Sequence, residues 1–131
     1  MGGARGEFRP VNAARAGSAI LVAEDEVLIR LEIAEQLRGA GYTVIEAANA
    51  HEALEVLHHS AEVKLLVSDI QMPGSIDGVA LARAVRAEFP AIKIILASGR
   101  FAAASGAEHD GFFRKPFDVA ELIKHIRKLI D

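Results

Sequence analysis

Three times along this chain a short, dense apolar run gives way to a longer stretch with apolar residues at helical spacing; a fourth run follows, and a fifth precedes the last helix. Ile20-Leu21-Val22-Ala23 is too short for a helix and reads as a buried strand. Behind it, Val27, Leu31 and Ala34 form a stripe with Leu28 and Leu37 beside it, which predicts a helix stopped by Gly39 and Gly41. Tyr42-Thr43-Val44-Ile45 is aromatic and β-branched, a second strand. Asn49 can cap a helix buried through Ala50, Ala53, Leu54 and Leu57. Leu65-Leu66-Val67 is a third strand, followed by a loop through Met72-Pro73-Gly74-Ser75. Asp77 caps a helix buried through Leu81, Ala82, Val85 and Phe89, and Pro90 forbids its continuation. Ile92 and Ile94-Ile95-Leu96-Ala97 give a fourth strand, and Phe112-Phe113 a short fifth. Asp118 caps a last helix striped by Val119, Leu122, Ile123, Ile126, Leu129 and Ile130. Such alternation predicts an α/β three-layer sandwich, a five-stranded parallel sheet with helices on both faces.

Composition narrows the chemistry. There is no cysteine among the 131 residues, which excludes disulfides, thiolate nucleophiles and Cys-type zinc sites. A net charge of −3 argues against direct DNA binding through the protein's own field. No apolar run approaches the roughly 18 residues a membrane span needs, so a cytoplasmic protein with no membrane contact is expected. Residues 1–18 carry Arg5, Arg9 and Arg15 against Glu7 and have no apolar face. They read as a flexible N-terminal extension, leaving residues 19–131 as one domain with no output domain.

In open parallel sheets, ligands bind beyond the C-terminal strand ends. Strand one ends at Glu24-Asp25-Glu26, strand three at Asp69, strand four at Ser98 and strand five at Lys115. Crowded carboxylates repel unless a cation compensates. Hard oxygen ligands of this kind suit Mg²⁺, and a lysine with a hydroxyl supplies donors for phosphoryl oxygens. The set suits phosphoryl transfer with Asp69 as nucleophile. Taken singly, Ser98-Gly99 reads equally as a turn, and Lys115-Pro116 as a surface lysine before a helix-start proline. His51, His58, His59, His109 and His125 show no metal-ligand spacing.

Val22-Ala23-Glu24-Asp25-Glu26, Ser68-Asp69-Ile70-Gln71-Met72-Pro73, Asp77-Gly78, Ala97-Ser98-Gly99 and Lys115-Pro116-Phe117 together resemble the receiver domain of bacterial two-component response regulators, over residues 19–131. The resemblance implies a flavodoxin-like fold with strand order 2-1-3-4-5. It implies that Asp69 accepts a phosphoryl group from a sensor histidine kinase or histidine phosphotransfer protein. Glu24, Asp25, Asp69 and the backbone carbonyl of Gln71 would hold Mg²⁺, while Ser98 and Lys115 would bind phosphoryl oxygens. A cis Lys115–Pro116 bond is expected, and Phe112 (or its neighbour Phe113) would be the switch aromatic that moves with Ser98. The protein would be a stand-alone phosphorelay regulator, monomeric or weakly dimeric, acting on an unknown downstream protein. It would catalyse its own phosphorylation and dephosphorylation and would not be a turnover enzyme.

Three departures qualify the likeness. Glu24 is one methylene longer than the aspartate common there, which predicts weaker metal affinity. The loop between Met72-Pro73 and Asp77-Gly78 holds one extra residue. Only 16 residues separate Ser98 from Lys115, so the fourth helix is expected to be short or disordered. Arg100 could lie over the phosphoryl group or stand idle. The alternatives are a phosphate-independent, receiver-shaped interaction module and a phosphate sink. A haloacid-dehalogenase-type phosphatase would need a second aspartate where Gln71 stands, and a flavodoxin-like carrier a phosphate loop where the acidic residues stand.

Overall fold

The computed structural model describes residues 18–99 and 108–131. The expected N-terminal extension, the expected short or disordered helix after the fourth strand, and Arg100 lie outside the described residues. Five strands, β1 (Ala19–Ala23), β2 (Thr43–Ala47), β3 (Val63–Asp69), β4 (Lys93–Ser98) and β5 (Gly111–Arg114), form one sheet in the order β2-β1-β3-β4-β5. Every pairing is parallel. Among the described residues the helices are α1 (Val27–Gly39), α2 (Ala50–His59), α3 (Gly78–Glu88) and α4 (Val119–Ile130). Among the described residues no helix is long and apolar enough to cross a membrane.

Side chains alternate across a strand, so each apolar run serves two cores at once. Leu21, Leu66, Ile94 and Leu96 face Ala53 and Leu57 of α2 and Leu81 and Val85 of α3. Ile20, Val22, Leu65, Val67 and Ile95 face Ile33 and Leu37 of α1 and Leu122 and Ile126 of α4. Two helices therefore cover each face, which is why the central strands are apolar on both sides.

The predicted caps form. Asn49 Oδ1 accepts from the Glu52 N–H at 2.8 Å, and Glu52 reaches back to the Ala48 N–H. Asp77 Oδ1 accepts from the Ala80 N–H, and Asp118 Oδ1 from the Ala120 N–H. Past α1, Gly41 takes φ +103°, a left-handed conformation that glycine adopts without a Cβ penalty. Tyr42 lies outside β2, buried, with its hydroxyl donating to Asp131 Oδ2 at 2.9 Å.

The expected face of α1 is buried at Ala34 and Leu37 but not at Val27, Leu28 and Leu31. Its buried residues are Ile33, Ala34 and Leu37, with Ile29 packed beside them. Val27, Leu28 and Leu31 are exposed, Leu28 at 79%. This helix is apolar around most of its circumference, so two stripes fit the 3.6-residue period. Contact with the sheet selects the Ile29–Ile33–Leu37 stripe.

Candidate functional site

The site forms where three central strands end. Asp69 is the last residue of β3 and Ser98 the last of β4, and Glu24 directly follows β1. All three are buried, whereas Asp25 is exposed. Carboxylate oxygens of Glu24, Asp25 and Asp69 lie within 4.8 Å of one another. Lys115, just past β5, places Nζ 2.7 Å from Glu24 Oε1 and 3.2 Å from Asp69 Oδ1. The Lys115–Pro116 peptide is cis, as the resemblance implies.

Charge at this edge is unbalanced. Burial pushes the carboxyl of Asp69 above its usual range, the charge of Asp25 adds to the rise, and Lys115 only partly opposes it. Burial likewise raises Glu24 against the pull of Lys115 and of the Glu26 N–H on its other oxygen. Burial disfavours the Lys115 ammonium, but its bond to Glu24 and the nearby carboxylates outweigh that, so it stands above the usual lysine value. Three carboxylates against one ammonium leave two negative charges in a cluster of hard oxygens. That donor set fits a divalent cation such as Mg²⁺.

Backbone close approach completes the edge. Gly78 donates its N–H to the Ile70 carbonyl at 2.9 Å. A Cβ there would lie 2.1 Å from the Asp69 carbonyl oxygen, so the α3 start can sit against the end of β3 only with glycine. In the loop between Met72-Pro73 and Asp77-Gly78, Gly74 takes φ +107°, and Ser75 Oγ lies 2.8 Å from His51 Nε2.

Glu24, Asp25, Asp69 and Lys115 thus converge. Ser98 joins through a partner absent from the sequence reading: its hydroxyl donates to Gln71 Oε1 at 2.7 Å. The expectation for Gln71 concerns its backbone carbonyl, and the side chain adds this second contact. Phe112 is not in the cluster. It pairs with Leu96 in register, two places before the Ser98–Arg114 pair, and its ring is 36% exposed near His109. Phe113 points to the opposite face and packs on Phe117 and His125. Arg30, which donates to the Glu24 carbonyl at 2.8 Å, was not legible as a site residue, because one arginine on a helix gives no spacing signal.

Comparison with known proteins agrees with this geometry. The sequence model of the response regulator receiver domain matches residues 20–127. The sensor kinase CckA of Brucella abortus is 38% identical over 122 residues, covering 88% of this chain; the chain spans 13% of that protein's length. The response regulator receiver protein CpdR of Brucella abortus is 34% identical, covering 85% of this chain and 95% of its own. The crystal structure of response regulator TrrA from Thermotoga maritima, in complex with Mg(2+)-BeF, superposes with TM-score 0.77 at 32% identity, covering 86% of this chain and 99% of that one. With a family match across most of its length and a relative of matching extent, the chain belongs to the response regulator receiver domain family.

Proposed function

We propose that Asp69 accepts a phosphoryl group from a phosphohistidine on a histidine kinase or histidine phosphotransfer protein. The observation that carries this reading is the ion pair of Asp69 with Lys115 at 3.2 Å, at a buried strand end ringed by Glu24 and Asp25. An Asp69 oxygen attacks phosphorus, the P–N bond of the donor breaks, and the leaving imidazole takes a proton from solvent. Asp25 and Asp69 would hold Mg²⁺, with Glu24 and the Gln71 carbonyl beside it. Bound there, the ion would supply positive charge against that of the transferring phosphoryl group. Lys115 moves from Glu24 toward one phosphoryl oxygen, and the Ser98 hydroxyl leaves Gln71 for another.

That displacement makes room for Phe112, now partly exposed, to pack inward and change the surface a downstream protein meets. Val27, Leu28 and Leu31 follow directly on the acidic turn and offer the phosphodonor an apolar footing beside Asp69. In this reading the chain is a cytoplasmic phosphorelay regulator, its acyl phosphate a signalling state, and not a turnover enzyme.

The test is Mg²⁺-dependent phosphoryl uptake from acetyl phosphate, read by intact mass on wild type and Asp69→Asn. One labile phosphoryl group on wild type alone is expected. No uptake, together with no binding of beryllofluoride, would make this a phosphate-independent interaction module.

A further inference from the structure

Asp25 is the exposed member of the acidic cluster, and no hydrogen bond or ion pair from another described residue holds its carboxylate. Its position is therefore set by the backbone around it. The Glu24 N–H donates to the Ala47 carbonyl at 3.0 Å, and the Glu24 carbonyl accepts from an Arg30 terminal nitrogen at 2.8 Å. That carbonyl belongs to the planar peptide leading into Asp25, so the guanidinium fixes the plane from which the Asp25 side chain departs.

Arg30 is itself aimed. Its Nε lies 3.1 Å from Glu46 Oε1, and its side chain is only 16% exposed. The second Glu46 oxygen pairs with Arg38 at 3.1 Å, and Arg38 also donates to the Val44 carbonyl. A planar fork serves a carboxylate with one donor and a carbonyl with another in one fixed geometry, which the flexible lysine ammonium does not hold.

We infer that Arg30, oriented by Glu46, is a positioning residue for divalent-cation binding, holding the Glu24–Asp25 peptide so that Asp25 faces Asp69. The inference rests on the reading of Glu24, Asp25 and Asp69 as a cation site. It predicts a sign opposite to simple electrostatics. Removing a positive charge near the cluster would by Coulomb attraction alone tighten cation binding. Loss of a group that orients metal ligands instead weakens it, by about 10–100-fold in known metal sites.

The experiment is a Mn²⁺ titration of the full chain, following free Mn²⁺ by electron paramagnetic resonance, with folding checked by circular dichroism. Wild-type binding that is lost in Asp25→Asn establishes the cation site, and failure of the wild type to bind would sink that reading itself. Given binding, Arg30→Ala is expected to raise the Kd about tenfold. Arg30→Lys should fall between wild type and Arg30→Ala, and it carries the test alone if Arg30→Ala does not fold. Glu46→Ala should move toward Arg30→Ala, and the double variant should be no weaker than Arg30→Ala. Unchanged or tighter Mn²⁺ binding in folded Arg30→Ala or Arg30→Lys would overturn the inference.

Discussion

Lys115 Nζ lies closer to Glu24, at 2.7 Å, than to Asp69, at 3.2 Å. The longer glutamate side chain reaches the ammonium that an aspartate in its place would leave to Asp69. In the unmodified protein Lys115 is thus shared, and Asp69 keeps an incompletely compensated negative charge.

Stability without metal should fall as pH rises. Asp69 and Glu24 have carboxyls raised by burial, so across the window above the usual carboxylate range the folded state holds more protons than the unfolded one. Stability is then greatest below that window and is lost as pH rises through the raised values. Urea denaturation between pH 4 and 8 should show this slope, and Asp69→Asn should flatten it and raise the midpoint at pH 7. A cation bound at 100 times its Kd should add about 2.7 kcal/mol at neutral pH.

Asp110 should act in the opposite direction. Burial opposes its charge, but Arg86 at 2.9 Å and the Ile94 N–H at 2.8 Å outweigh that and hold its carboxyl below the usual value. This contribution is present above the ordinary aspartate range and is lost as pH falls through the lowered value. Asp110→Ala strands the Ile94 N–H at the start of the β4–β5 pairing and should cost about 1–3 kcal/mol. Asp110→Asn, which keeps an acceptor oxygen, should cost less, as denaturation curves will show.

Two glycines should behave oppositely. Gly78→Ala drives a methyl group into the Asp69 carbonyl, and it should cost at least the ~3 kcal/mol upper end of ordinary overpacking penalties and displace Asp69. Gly39→Ala, where nothing lies within 4 Å at the end of α1, should stabilise by about 0.5–1 kcal/mol. Thermal melts of the two variants, with phosphoryl uptake for the first, check both.

The corrected face of α1 is directly measurable. Leu28→Ala removes an exposed side chain and should change stability by no more than about 0.5 kcal/mol. Ile33→Ala opens a cavity between α1 and the sheet and should cost about 2–5 kcal/mol. Chemical denaturation of both decides between the two stripes.

The alternation of short apolar runs with helical stripes determined the layered architecture, because strand and helix periods differ and neither pattern can bury its apolar side in the other's conformation. Caps at Asn49, Asp77 and Asp118 were legible for the same local reason, a side-chain oxygen within reach of the next turn. So were the strand-end residues Glu24, Asp69, Ser98 and Lys115, since a parallel sheet brings successive strand ends to one edge. Tertiary structure alone decided which α1 stripe is buried, because two stripes satisfy one period and only contact with β1 and β2 breaks the tie. It also decided that Lys115 leans to Glu24, that Ser98 is held by Gln71, and that Arg30 grips the Glu24 carbonyl from Glu46. Those contacts join residues up to 91 positions apart, and only the packed chain sets which partners meet.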